Sequence, residues 1–121
     1  MNIEEFREYC IDRKGVTEEF PFDAHTLVFK VMGKMFALAP LERFPAQVNL
    51  KCDPERAIAL REQYDGVIVP GYHMSKSNWN TLHIEQLPPA LVRELTDHSY
   101  ALVVDKFTKK IKAEFDTLDD N

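Results

Sequence analysis

The sequence predicts an α+β domain of two layers, an antiparallel five-stranded sheet with helices on one face. Three observations lead there. Apolar residues recur at helical spacing near both ends and once in the middle, and between these segments the period drops to two. The connectors between the period-two runs are short and carry Gly or Pro, which favours antiparallel neighbours. Those runs alternate apolar with polar residues, the pattern of a sheet with one covered and one open face. The order is helix, three strands, helix, two strands, one or two helices.

Residues 3–13 form the first predicted helix, with Ile3, Phe6, Tyr9 and Cys10 on one stripe and Glu4, Glu8 and Asp12 outside. Asn2 is its cap, with Glu5 three residues on completing a capping box, and Gly15 offers a left-handed stop. Residues 16–23 read as a connector around Phe20-Pro21-Phe22. Strands follow at 24–31 and 34–39, joined at Gly33, and at 46–51. Asp53-Pro54 opens the second helix, a preferred cap followed by a proline at the first helical position. Asp65-Gly66 closes it. Residues 67–69 and 79–84 are strands, separated by a loop at 72–78. The last helical region starts at Pro88-Pro89, with pieces at 90–95 and 97–115 and Asp97 capping the second. Residues 116–121 read as a frayed tail. Leu27, Phe29, Val48, Leu50, Leu82 and Ile84 are expected in the core. Thr26, Lys30, Gln47, Asn49, Lys51, Thr81 and His83 are expected on an open, acid-free sheet face.

The chain of 121 residues, 45% hydrophobic and 29% charged, suits one globular domain over residues 1–121. The acidic N-terminus is not a secretory signal, and the longest aliphatic run near the C-terminus is far too short to span a membrane. A cytoplasmic protein with no membrane association, a monomer or weak homodimer, is expected. Cys10 and Cys52 should be reduced and unpaired. The net charge of −5 is unevenly spread: residues 1–23 carry −4, residues 24–84 carry +2 and residues 85–121 carry −3. That excludes the overall basic signature of a nonspecific nucleic-acid binder but permits a local basic face.

The four histidines, His25, His73, His83 and His98, lack zinc-ligand spacing, and no metal or cofactor is expected. Gly33-Lys34 lacks the further glycines and the Ser/Thr of a phosphate loop. No nucleophile signature appears, so no catalytic residue is assigned and the chain is not expected to be an enzyme. The segment from Pro70 to Asn80 is different. It holds no acid, and it gathers Tyr72, His73, Lys76, Asn78, Trp79 and Asn80. As a recognition surface, Trp79 would stack on a base, Lys76 would contact phosphate, and Asn78 and Asn80 would meet base edges. As structure, Trp79 would plug the core edge, the commoner fate of tryptophan.

These residues resemble the MmcQ/YjbR family of small bacterial proteins. The matching stretches are Gly33-Lys34-Met35-Phe36-Ala37-Leu38, Asn49-Leu50-Lys51-Cys52-Asp53-Pro54, Pro70-Gly71-Tyr72-His73-Met74, Trp79-Asn80-Thr81 and Ser99-Tyr100, spread from about Phe22 to Val104. The resemblance implies a fold like that of secretion chaperones, also compared with frataxin-like proteins. It also implies DNA binding, with His73, Lys76, Trp79 and Asn80 matching the family's loop-to-strand motif. One departure stands out. Ser77 and Asn78 occupy positions where the family often has a histidine or second basic residue, which weakens phosphate neutralisation. The expected DNA-binding set is His73, Lys76, Asn78, Trp79 and Asn80 with Lys30 and Lys51 of the sheet. The alternative is a protein–protein interaction module or chaperone-like adaptor without enzymatic activity.

Overall fold

The computed structural model describes residues 1–71 and 74–119. Helix α1 (Ile3–Ile11) leads into β1 (Val16–Glu19), β2 (Thr26–Val31), β3 (Lys34–Pro40) and β4 (Val48–Lys51). Helix α2 (Pro54–Gln63), β5 (Ile68–Pro70) and β6 (Trp79–Leu82) follow, then a 3₁₀ turn (Ile84–Gln86), α3 (Pro89–Val104) and α4 (Lys109–Asp116). The strands form one open antiparallel sheet in the order β1-β2-β3-β4-β6-β5.

The α+β fold is as expected, but the sheet has six strands rather than five. The extra one is β1, in the stretch expected as a connector. Val16-Thr17-Glu18-Glu19 lacks apolar alternation, yet it pairs with β2 from Val16↔Val31 to Glu19↔Val28. Its carboxylates have local partners: Glu18 accepts from Arg7 of α1 at 2.7 Å, and Glu19 pairs with Lys30 of β2 at 2.6 Å. The backbone ladder and Val16, which packs against the main core, hold the strand, and these charge pairs add a modest increment.

The last helical region also differs. Asp97 does not cap a second piece but lies within a continuous α3, where it accepts hydrogen bonds from the Tyr9 hydroxyl at 2.7 Å and from Arg13. Thr96, whose position suggested a break, donates its hydroxyl to the Val92 carbonyl one turn back at 2.7 Å and is absorbed into the helix. The break falls at residues 105–108, where Thr108 caps α4 by accepting from the Ile111 N–H at 3.3 Å. The turn at the end of α4 is closed by Thr117 and Leu118, which donate to Glu114 and Phe115. Asp120 and Asn121 of the expected tail lie outside the described residues.

The main core lies between the helices and one face of the sheet. Leu27, Phe29, Val48, Leu50, Leu82 and Ile84 are all at most 6% exposed. Phe6 of α1 meets Phe29 edge-on, and Phe36 of β3 meets Tyr100 of α3 edge-on. Asn2 caps α1 in the expected box, its side chain accepting from Glu5 N–H at 2.8 Å while Glu5 accepts from Asn2 N–H at 3.0 Å. Cys10 and Cys52 are both free and buried, and burial pushes both thiols up in pKa.

The opposite sheet face is less open than expected. Val28, Leu38 and Trp79 form a second, smaller buried cluster there, flanked by Met35 and Met74. Asn49 and Thr81, expected as solvated residues, are buried beside it, with the Thr81 hydroxyl donating to the Asn49 side chain. The face is not free of acid either, because β1 brings Glu19 onto it opposite Val28.

Candidate functional site

Lys51 ends β4 and Trp79 begins β6, and the two are directly paired across strands. They therefore share a face at the same end of the sheet. The β2–β3 turn brings Gly33, Lys34 and Met35 to that end, and the last turn of α3 with the residues after it brings Val103, Lys106 and Phe107. Together these residues line a cleft of about 430 Å³. Three of the lining residues are lysines and none is acidic. Among the described residues, Lys34, Lys51 and Lys106 take part in no ion pair. Lys51 is half-buried, and burial together with the nearby charge of Lys106 lowers its pKa. Two like charges near one another with no counter-charge form an arrangement that an anion would relieve.

Local hydrogen bonds fix this geometry. Strands β3 and β4 pair only at Ala37↔Leu50 and Leu38↔Asn49. Beyond that, the buried Ser99 hydroxyl of α3 stands between them, accepting from the Lys51 N–H at 2.9 Å and donating to the Phe36 carbonyl at 2.5 Å. It holds the Lys51 backbone where the ladder stops. Gly33 has φ +82 and supplies the left-handed turn that presents Lys34. On the other side, the Gly71 N–H donates to the Trp79 carbonyl at 2.9 Å.

The turn at residues 75–78 adjoins the cleft, since the Asn78 carbonyl accepts from the Cys52 N–H at 2.7 Å just past Lys51. Arg61 of α2 organises it. Its Nε donates to Asn80 Oδ1 at 2.7 Å, and its Nη2 donates to the Lys76 carbonyl.

The expected site residues separate into groups. Lys51 and Trp79 line the cleft; Trp79 is 8% exposed and belongs to the smaller apolar cluster. Lys76 is exposed and Asn78 half-exposed on the adjoining turn. Asn80 does not join them. It points to the helix side, 1% exposed, bonded to Arg61 and donating to the Ala57 carbonyl at 3.3 Å, so its amide has no free edge for a base. Lys30 is on the sheet face, but its ammonium is held by Glu19. His73 lies outside the described residues. Sequence reasoning missed Lys34, Lys106 and Arg61. Lys34 stood in plain view as a turn lysine, but only the strand order shows that this turn, the end of β4 and the end of α3 meet.

The rest of the surface is distinct. Helix α1 turns an acidic face outward at Glu4, Glu5 and Glu8. Phe20, Phe22, Leu41 and Phe44, from 39% to 90% exposed, crown the β1–β2 and β3–β4 loops. These loops are tied by the Leu41 N–H donating to the His25 carbonyl at 2.8 Å and by His25 Nδ1 lying 2.9 Å from Glu42. No group of His, Cys, Asp and Glu among the described residues could hold a metal ion, and no helix there is long and apolar enough to cross a membrane.

Comparison with known proteins places this architecture. The YjbR family model matches residues 12–102. The chain is 39% identical over 92 residues to YbdF of Escherichia coli O157:H7, covering 75% of each protein. It is 34% identical over 106 residues to YjbR of Escherichia coli K12, covering 86% of this chain and 88% of that one. A crystal structure of the Deinococcus radiodurans protein DR2400 superposes with a TM-score of 0.87 at 39% identity, over 95% of this chain and 88% of that chain. A Pseudomonas syringae protein gives 0.72 at 26% identity, over 84% and 98%. Lys34, Lys51 and Trp79 fall inside the family match, whereas Lys106 and Phe107 lie beyond it. On the family match and these relatives, the chain belongs to the YjbR family.

Proposed function

We propose that the protein is a cytoplasmic DNA-binding protein without enzymatic activity that grips the phosphate backbone with the lysine-bearing end of its sheet. The observation that carries this reading is the cleft in which Lys34, Lys51 and Lys106 converge beside Trp79 with no acidic lining residue. Lys76 on the adjoining turn extends the basic surface, and Lys109 and Lys110 follow at the start of α4, whereas Lys112 pairs with Asp116. The interface is thus the end of the sheet rather than its open face, where Lys30 is neutralised. A net charge of −5 is compatible with this, because a polarised molecule orients its basic end to a polyanion while its acidic side stays away. Fluorescence anisotropy of labelled DNA across a salt series tests the reading. Binding should weaken steeply with salt, and Lys34→Ala or Lys106→Ala should each lower the salt slope by about one. Absence of binding at low salt, or binding indifferent to salt, would overturn it.

A second reading, a protein-interaction module, is favoured by the exposed Phe20, Phe22, Leu41 and Phe44 at the loops of β1–β2 and β3–β4. Apolar contacts of this kind barely respond to salt. Size-exclusion chromatography of the wild type and Phe44→Ser at high salt separates the two readings. A larger species in the wild type, lost in the variant, supports the second.

A further inference from the structure

The lysine cleft differs from the convex basic surface that suffices for gripping a duplex. Lys51 is set back and half-buried, whereas Lys34 and Lys106 are exposed at its rim. Met35, Trp79, Val103 and Phe107 supply apolar walls. The volume of about 430 Å³ falls within the roughly 300–1,000 Å³ typical of sites that enclose one small molecule. A duplex interior presents singly charged diesters along a wide cylinder, which meets the exposed Lys34 and Lys106 before the set-back Lys51. The end of a strand can enter. A phosphomonoester there carries about −1.5 to −2 charges near neutral pH, compared with −1 for a diester.

We infer that this cleft receives the terminal phosphomonoester of a nucleic-acid strand, with Lys51 at its base, Lys34 and Lys106 at its mouth and Trp79 along the wall. The inference rests on the proposed nucleic-acid binding and specifies its ligand: phosphorylated ends over chain interiors. Two observations support it independently of family membership. Three ammonium groups with no ion-pair partner among the described residues match a dianion better than a monoanion. The lowered pKa of Lys51, caused by burial and then by Lys106, marks a charge that an anion would stabilise. The Ser99 hydroxyl holds the Lys51 backbone in place, so the base of the site is preorganised.

The test uses the full-length protein and one short single-stranded oligonucleotide in three forms: 5′-phosphorylated, 3′-phosphorylated and hydroxyl at both ends. Trp79 emission is the readout, because it is the sole tryptophan and lines the cleft. One phosphorylated form should bind about tenfold or more tighter than the hydroxyl form, as expected for charge-assisted hydrogen bonds. Inorganic phosphate should compete that advantage away. Lys51→Met should bring the preference to about unity, and Lys106→Gln, at an exposed site, should reduce it without risk to the core. Equal binding of all three forms overturns the inference and leaves the nucleic-acid reading standing. No binding of any form overturns both. A preference that survives both substitutions places the end-recognition site elsewhere and overturns the assignment.

Discussion

Replacing Gly71 by alanine tests how tightly the wall of the cleft is built. A Cβ at residue 71 would sit 2.8 Å from Trp79 Cβ, 3.0 Å from its carbonyl oxygen and 3.1 Å from its carbonyl carbon. Carbon atoms in contact keep about 3.5–4.0 Å, so the two segments must part by about 0.7–1.2 Å. Little there can yield. The obstructing atoms are backbone and Cβ rather than the end of a flexible side chain. The same stretch is tied by the Gly71 N–H to the Trp79 carbonyl and by the Pro70↔Asn80 pairing. Overpacking of this kind costs about 1–3 kcal/mol. With a urea dependence of about 1–3 kcal/mol per molar, the unfolding midpoint should fall by roughly 1 M. Urea titrations followed by Trp79 emission and by far-ultraviolet circular dichroism measure it, and native emission should shift to the red as the ring loosens. A midpoint and native emission both unchanged from wild type would refute the reasoning.

Ser99→Ala should cost about 1–3 kcal/mol, because it leaves the Lys51 N–H and the Phe36 carbonyl without their shared partner; a thermal melt no lower than wild type would contradict the bridging role. Lys30→Ala should leave DNA affinity unchanged within about twofold, since its charge is already spent on Glu19, and should alter stability by only about 0.2–1 kcal/mol. A loss of salt slope in that variant would return the open sheet face to the interface. His98 accepts the Asp53 N–H at 3.1 Å, and burial, then the charge of Arg56, lowers its pKa. A depressed folded pKa gives stability that is present above the ordinary histidine value of about 6.5 and is lost as pH falls through the lowered one. Melting temperatures should therefore drop more steeply below pH ~6.5 in wild type than in His98→Asn; parallel curves would count against it.

Much of the fold was legible because apolar patterning and caps agreed. Asn2 with Glu5 and Asp53 with Pro54 start their helices as their chemistry dictates. The alternation of Leu27 and Phe29 predicts the buried face. Strand β1 escaped because it is held by its ladder to β2 and by Val16 packing on the core, with Glu18 and Glu19 finding Arg7 and Lys30 only in the folded chain, and none of this leaves an apolar alternation in the sequence. The helix break was misplaced because Asp97 looked like a cap, whereas it reaches across to α1 while Thr96 bonds back within its own helix. The candidate site was half legible. Lys51, Lys76, Trp79 and Asn80 stood out by residue type, but the fold spends Asn80 on Arg61. Lys34 and Lys106 lie 72 positions apart in sequence and meet only because an α3 ending and a β2–β3 turn share one end of the sheet.

The open sheet has two rims, and both resist extension. Strand β1 offers four residues bearing Glu18 and Glu19, and β5 offers three ending in Pro70, which brings no N–H to the row. A strand from a second copy would have to seat against solvated, ion-paired carboxylates on one side and a gap in the donor row on the other. Copies should therefore not stack into a continuous ribbon at high concentration. Removing both guards, by Glu18→Thr with Glu19→Thr on one rim and Pro70→Val on the other, should convert two quiet rims into edges that seed fibres, read as a rise in thioflavin fluorescence over wild type.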